Sequence, residues 1–152
     1  MVFQSCPISG DTWNERAIRI VAGFVLAVSA ASTTQPRLIA AAILLALAAD
    51  FAVRGFGHPR YSLLATLGRG VANLARLSPK PVDAAPKRFA ARIGVVFALS
   101  AAILHLVYLP VAALSVTGVL FVCATLEATI GLCVGCRVYS LLPTRFALAL
   151  AR

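Results

Sequence analysis

Residues 113–137 read ALSVTGVLFVCATLEATIGLCVGCR, an apolar run that contains one acid and ends in a Cys-x-x-Cys pair followed by a cation. The apolar part, residues 113–134, is long enough to cross a bilayer, which takes about 20 residues in a helix. Glu127 lies inside it, and an acid within hydrocarbon is costly unless it has a partner or a function. The stretch therefore predicts both a membrane span and a candidate functional site.

The composition of the whole chain supports a membrane protein. Hydrophobic residues make up 61% of the 152 residues, only 12% are charged, and the mean hydropathy is +0.92. A water-soluble domain of this length needs more polar surface. Lys and Arg number 14 against 5 acids, but these cations lie between apolar segments. Membrane topology and anionic lipid headgroups explain them better than nucleic acid, which we do not expect as a partner.

Three further apolar segments predict spans at residues 17–33, 38–54 and 93–109. The first follows a long polar N-terminal stretch, which favours a retained span over a cleaved signal peptide. Pro36 breaks the chain between the first two spans. We therefore expect a single all-α membrane domain, residues 1–152, built as a four-span helical bundle.

The connection between the second and third spans predicts an amphipathic helix at residues 61–77. Apolar residues recur there at three- and four-residue spacing, as expected for one face of a helix. The pattern fits a helix lying in the membrane interface, or equally one packed on the end of the bundle. Three prolines follow, and we expect a connector without long helix until residue 93. The apolar stripe consists of Leu63, Leu67, Val71, Leu74 and Leu77.

The cations predict the orientation in the membrane. All but Arg37 fall on the side that holds both termini and the long central connector. Because cytoplasmic loops carry the excess of Lys and Arg, we expect cytoplasmic N- and C-termini and a cytoplasmic interfacial helix. Asp50 and Arg54 are spaced for an i,i+4 ion pair, and Asp83 is suited to capping the helix of the third span.

Several short strings spread over the chain resemble a bacterial integral membrane family catalogued as domain of unknown function 4395. That resemblance implies a multi-pass protein of the bacterial inner membrane with no assigned activity. It also implies a link to thiol chemistry and to a thioredoxin-like soluble partner. The strings are Cys6-Pro7 with Asn14-Glu15-Arg16, Asp50-Phe51-x-x-Arg54, Pro79-Lys80-x-Val82-Asp83-x-x-Pro86-Lys87-Arg88-Phe89-Ala90, and Leu126-Glu127 with Cys133-x-x-Cys136.

Cys133 and Cys136 are the principal candidate thiols. At i and i+3 on one helix they share a face, and two such thiols can form a disulfide, bind a soft metal or carry sulfur. On a continuous fourth helix the pair lies at the C-terminal end, where the helix dipole opposes a thiolate. A break at Gly131 or Gly135 changes that geometry. Packing of two small polarizable side chains is the competing interpretation.

Cys6 is a third candidate thiol, expected on the same side of the membrane. It could act as a resolving or accepting cysteine for the pair. Alternatively, Cys6, His58, Cys133 and Cys136 form a three-sulfur, one-nitrogen set suited to zinc. No other cofactor is expected.

Glu127 and His105 are candidates for a proton path. Counting from the span ends puts them at similar depth, so a hydrogen bond between them is possible, with Arg16 or Arg19 as a rival partner for Glu127. A buried polar pair that fixes helix register explains them equally well. Cys123 lies about 15 Å from Cys133 along a continuous helix, so we expect it to serve packing.

These observations favour a membrane thiol protein that exchanges electrons or sulfur with a soluble partner. The alternatives are a small transporter or soft-metal-handling protein, and a structural subunit of a membrane complex. Four spans are few for a solute pathway, so transport requires a homo-oligomer. Whether the protein is an enzyme stays open on sequence alone.

Overall fold

The computed structural model describes residues 11–141, and 81% of the structure is helical. Two short strands and six α-helices follow one another along this part of the chain. Their order and bounds are β1 (Thr12–Asn14), α1 (Glu15–Thr33), α2 (Arg37–Phe56), a 3-10 turn (Pro59–Tyr61), α3 (Leu63–Leu74), β2 (Pro81–Asp83), α4 (Ala84–Leu106), α5 (Pro110–Ile130) and α6 (Val134–Leu141).

Four of the helices, α1, α2, α4 and α5, are long and apolar enough to cross a membrane. They contain 19 to 23 residues, with mean hydropathies from 1.4 to 2.0. About 20 residues cover the hydrocarbon core, because an α-helix rises 1.5 Å per residue. The predicted all-α, four-span membrane bundle is confirmed.

Helix α4 begins at Ala84, nine residues before the span predicted at 93–109. Pro86 is its third residue, where a missing N–H costs nothing because the first-turn amides have no partner within the helix. The Asp83 carboxylate accepts a hydrogen bond from the N–H of Ala85 at 3.3 Å, which confirms the predicted cap. The connector expected there is therefore helical, and it carries Lys87 and Arg88 into the bundle.

Small residues let the spanning helices approach closely. Helix α4 lies against both α2 and α5, and α1 likewise contacts α2 and α5. At Gly94 of α4, an added Cβ would lie 2.8 Å from the ring of Phe51 on α2. Close backbone approach through Gly and Ala is how helices gain contact area in lipid, where no hydrophobic effect drives them together. Fully buried alanines on α2, α4 and α5 include Ala40, Ala98, Ala101, Ala102 and Ala113.

A two-stranded antiparallel ribbon joins the start of α1 to the start of α4. Strand β1 pairs with β2 so that Trp13 lies opposite Val82. The ribbon continues into the helices, since the N–H of Glu15 donates to the carbonyl of Lys80 at 2.9 Å. The sequence did not predict this ribbon, because three-residue strands carry too little periodicity to be recognised.

Helix α3 is amphipathic, and the structure resolves its orientation. Its small face is buried against α1, and an added Cβ on Gly68 would lie 2.5 Å from Cγ2 of Val21. The predicted apolar stripe faces outwards, with Leu63 70% and Leu74 87% exposed. An exposed leucine stripe at the end of a membrane bundle suits the interface, where acyl chains cover it. Ser62 caps α3 and also donates to Asp50 on α2 at 2.8 Å.

Candidate dithiol site

The fourth span ends at Gly131, before the dithiol. Gly131 adopts a φ of 72°, a left-handed conformation that glycine takes without steric cost, and its N–H donates to the carbonyl of Glu127 at 3.1 Å. Arg19 of α1 donates from its guanidinium to the carbonyl of Thr129, another carbonyl of the last turn. A cation here is favourable because the C-terminal carbonyls carry partial negative charge. The break that the sequence left open is thus present in the structure.

Helix α6 begins directly after Cys133, so Cys133 occupies its N-cap position. The N–H of Arg137 donates to the Cys133 carbonyl at 3.1 Å, which forms the first bond of the new helix. The placement of the pair at a C-terminal helix end was wrong, because it assumed a continuous fourth helix. At an N-terminus the free N–H groups and the helix dipole favour a thiolate.

The pKa values of the two thiols of the pair are shifted in opposite directions. The Cys136 thiol donates a hydrogen bond to the Cys133 sulfur, and this lowers the pKa of Cys133 below its usual value. The backbone N–H of Cys136 and the Lys87 ammonium act in the same direction, against the effect of burial. The same hydrogen bond, together with burial, raises the pKa of Cys136. Both thiols are free, so the thiolate of the pair resides on Cys133.

The two sulfurs also differ in access. Cys133 is buried, with 8% of its surface exposed, whereas Cys136 is half-buried. Cys133 lines an internal cavity between α1, α4 and α5 that Cys136 does not line. The acidic sulfur therefore faces the interior of the bundle, and its partner is the more accessible one.

Helix α6 packs against α4 so closely that their backbones approach each other at Gly135. An added Cβ on Gly135, inside the Cys-x-x-Cys loop, would lie 2.6 Å from the Cβ of Ala90. One turn further on, Tyr139 is buried and its ring packs on Phe89 with centroids 5.5 Å apart. These contacts fix the dithiol beside the first turns of α4, where Lys87 is located.

Glu127 is paired with Lys87. The Lys87 Nζ lies 2.5 Å from the Glu127 Oε1, and the two side chains are only 13% and 19% exposed. In the sequence, Lys87 appeared to be one of several topology signals in a proline-rich connector. The signal that distinguishes it is its position in the first turn of a helix capped by Asp83, which brings its side chain to the level of Glu127. Lys87 is therefore a site residue that sequence reasoning missed.

The predicted hydrogen bond between Glu127 and His105 is not formed. Glu127 lies in the last turns of α5 and His105 in the last turn of α4, at opposite ends of the bundle. The 18 residues from Lys87 to His105 correspond to about 27 Å along a helix. The estimate of equal depth was wrong because α4 starts nine residues earlier than predicted. Arg19 caps α5 instead of pairing with Glu127.

A family model described as "Domain of unknown function (DUF4395)" matches residues 13–144 of the chain. The chain belongs to this family. The match spans all four membrane helices and the dithiol, and it confirms the family resemblance found in the sequence. No curated protein and no solved structure matches the chain.

Cys123 of this DUF4395 protein shares a cavity with one thiol of the pair. It is on α5, and it lines the same cavity as Cys133 and Glu127. The break at Gly131 ends α5 before Cys133, and the packing role of Cys123 stays a prediction.

The zinc set proposed from the sequence is not assembled by the described residues. Within residues 11–141, no group of three or more His, Cys, Asp or Glu side chains is arranged to hold a metal ion. His58 lines a second cavity, near the ribbon, whose walls do not include Cys133. Cys6 lies outside the described residues, so its part in a metal set or as a resolving thiol stays a prediction.

Proposed function

We propose that this protein is a membrane thiol–disulfide exchange protein in which Cys133 and Cys136 exchange electrons with a soluble, thioredoxin-like partner. The observation that carries the proposal is the position of Cys133 as the N-cap of α6, where it accepts hydrogen bonds from Cys136. A pair in which one thiol has a lowered pKa and the other a raised pKa is suited to exchange, since the thiolate is both the nucleophile and the better leaving group.

The Lys87–Glu127 pair acts on Cys133 from α4 and α5 with two opposite charges. The Lys87 ammonium favours the ionised form of Cys133, whereas the Glu127 carboxylate opposes it. Because the two charges are paired at 2.5 Å, the net field at the sulfur depends on both side chains staying in place.

Exchange with a partner proceeds through the more accessible sulfur. Starting from the Cys133–Cys136 disulfide, a partner thiolate attacks the Cys136 sulfur. The new bond joins the partner to Cys136, and Cys133 leaves as the thiolate, the more acidic and hence the faster leaving group. A second thiol of the partner then attacks the partner sulfur that is bonded to Cys136. This releases Cys136, which takes the proton of that second thiol. The partner leaves as a disulfide, and two electrons remain on the Cys133–Cys136 pair.

The site belongs, on this proposal, to the cytoplasmic face of a bacterial inner membrane. The positive-inside rule supports this orientation, because the cations cluster at the end of the bundle that holds Lys87. Arg37 starts α2 at the other end, and its guanidinium lies 3.7 Å from the centroid of the Tyr108 ring between α4 and α5. A reducing compartment favours an exchanging dithiol over a permanent disulfide.

Thiol trapping with purified full-length protein tests the exchange. Cys133→Ser leaves Cys136 as the single thiol of the pair. It should displace thionitrobenzoate from a thioredoxin-like protein whose second active-site cysteine is replaced by serine, and accumulate a mixed disulfide seen on non-reducing gels. Cys136→Ser should accumulate several-fold less, because the remaining Cys133 is buried. Cys123→Ser is the control and should behave as wild type. Equal trapping, or none, in Cys133→Ser and Cys136→Ser contradicts the assignment.

Labelling in intact cells tests the orientation separately. A maleimide that cannot cross membranes should leave Cys136 unlabelled until the cells are opened. Labelling of Cys136 from outside overturns the cytoplasmic assignment, whatever the outcome of the trapping experiment.

A further inference from the structure

A cavity of about 360 Å³ extends from the dithiol into the membrane-spanning part of the bundle. Its walls include Val25 of α1, Phe97 of α4 and Leu120 of α5. These residues lie ten to thirteen positions from the helix ends near the dithiol, which corresponds to about 15–20 Å of helix rise. A cavity of this size is within the range of small-molecule sites, about 300–1,000 Å³.

The cavity reaches the lipid-facing surface of the bundle. Val119 lines it and is 47% exposed, near the middle of α5. Surface at that depth of a spanning helix faces hydrocarbon, so a ligand that enters there must be soluble in lipid.

The other end of the cavity is polar and chemically active. Cys133, Glu127 and Arg54 line it. Arg54 is paired with Asp50, since its Nη2 lies 2.9 Å from the Asp50 Oδ2, so this end of the cavity holds the charged residues Arg54 and Glu127. An apolar passage that ends at charged side chains and a thiol fits a ligand with an apolar tail and a polar, reducible head.

We propose that this cavity binds a lipid-soluble quinone, which accepts the two electrons of the Cys133–Cys136 dithiol. The inference rests on the proposed exchange function and names the electron acceptor of that same site. Cys136 then serves the soluble partner and Cys133 serves the quinone. This division explains why the acidic sulfur is the buried one.

The reaction balances in two steps. The Cys133 thiolate adds its electron pair to the quinone ring, which forms a carbon–sulfur bond. The Cys136 sulfur then attacks Cys133, the disulfide forms, and the carbon–sulfur electron pair stays on the ring. Hydroquinone needs two protons, of which Cys136 supplies one and the medium the other. Glu127 lines both this cavity and the one near the ribbon, so it is placed to pass that second proton.

The test uses reduced, purified full-length protein and decylubiquinone as the probe. Wild type should form one hydroquinone per Cys133–Cys136 disulfide, followed by ultraviolet absorbance and mass spectrometry. Val119→Trp narrows the lipid-facing opening and should slow the reaction at least tenfold. Ala124→Leu adds bulk to the wall and should act likewise. Val122→Trp is the matched control, because Val122 is 55% exposed on the same helix but does not line the cavity.

Glutathione disulfide separates the two proposals, since it reaches the pair from water. It should oxidise wild type, Val119→Trp and Val122→Trp at similar rates. If glutathione disulfide oxidises wild type and decylubiquinone does not, or if Val119→Trp and Val122→Trp react equally with the quinone, the quinone site is wrong and the exchange function stands. If neither oxidant forms the Cys133–Cys136 disulfide, both proposals fall.

Discussion

The two ends of the bundle differ in how they carry charge. All five acidic residues of the chain lie at the end with the dithiol, and four of them form ion pairs with Lys or Arg. The opposite end consists of the two short turns between α1 and α2 and between α4 and α5. It carries Arg37 and His105 and no carboxylate. The acids are Asp11, Glu15, Asp50, Asp83 and Glu127.

This difference shows that charged side chains are buried near hydrocarbon at the dithiol end of the bundle and not at the opposite end. Within residues 11–141 the ion pairs lie at the dithiol end, and one of them, Lys87–Glu127, joins two helices beside the sulfurs. The opposite end closes with short hairpins that need no such contacts. We therefore expect substitutions at the two ends to have very different effects on thiol reactivity.

The largest effect is expected from Lys87→Met. It leaves the Glu127 carboxylate buried without a partner, and breaking a buried pair in this way costs about 3–5 kcal/mol. Unfolding in a graded detergent series measures this loss, and alkylation of Cys133 at pH 7 should also slow. The double variant Lys87→Met/Glu127→Leu should regain most of the stability and most of the alkylation rate, because the opposing effects of the cation and the carboxylate on Cys133 are removed together.

Lys80→Met is the matched control for Lys87→Met. Lys80 is 65% exposed and pairs with Glu15 at 2.6 Å, so its removal should cost at most about 1 kcal/mol. Equal losses for Lys80→Met and Lys87→Met would show that burial of the Lys87–Glu127 pair is unimportant.

Gly135→Ala should have the second largest effect. The added methyl group meets Ala90 at 2.6 Å and forces α6 away from α4, at a cost of about 1–3 kcal/mol. Exchange with a thioredoxin-like protein should slow by about tenfold, since misplacement of reacting groups by an ångström is costly. Gly118→Ala is the control, because a Cβ there meets nothing within 4 Å. Similar rates for the two variants would rule out a positioning role for this contact.

A change in pH dependence is expected from Cys136→Ala. The thiolate reacts, and its hydrogen bond from Cys136 lowers the pKa of Cys133, so alkylation of Cys133 should persist below the ordinary thiol range near pH 8.5. Removing the donor should shift this profile to higher pH, with a several-fold slower rate at pH 7. Cys136→Ser retains an O–H donor and should shift it less. Site-resolved mass spectrometry gives both profiles, and coincident curves for wild type and Cys136→Ala would refute this cause.

The smallest effect is expected from His105→Gln. His105 lies at the opposite end of the bundle from the dithiol, so exchange should stay within about twofold of wild type. Glu127→Gln removes the carboxylate that opposes ionisation of Cys133 while Lys87 remains, so it should raise the alkylation rate at pH 7 and change the exchange rate by more than His105→Gln does. If His105→Gln changes exchange as much as Glu127→Gln does, the two ends are coupled and a proton path through the whole bundle regains support.

The sequence predicted more of the fold than of the site. The four spans and the stripe of α3 follow from local hydrophobic periodicity, which a chain carries regardless of its neighbours. The Asp50–Arg54 pair and the Asp83 cap were predicted for the same reason, as each lies within a few residues of its partner. The start of α4 was missed because Pro79, Pro81 and Pro86 argued against a helix. Pro86 lies in the first turn of α4, where proline is tolerated.

Sequence alone determined that this is a four-span membrane protein with a dithiol at its cation-rich end, because hydropathy, charge and cysteine spacing are properties of the chain itself. Tertiary structure decided what surrounds that dithiol. The left-handed turn at Gly131 makes Cys133 the cap of a new helix, and the packing of α4 brings Lys87 to Glu127 across 40 residues of chain. Neither follows from local pattern, since each depends on how close two helices come.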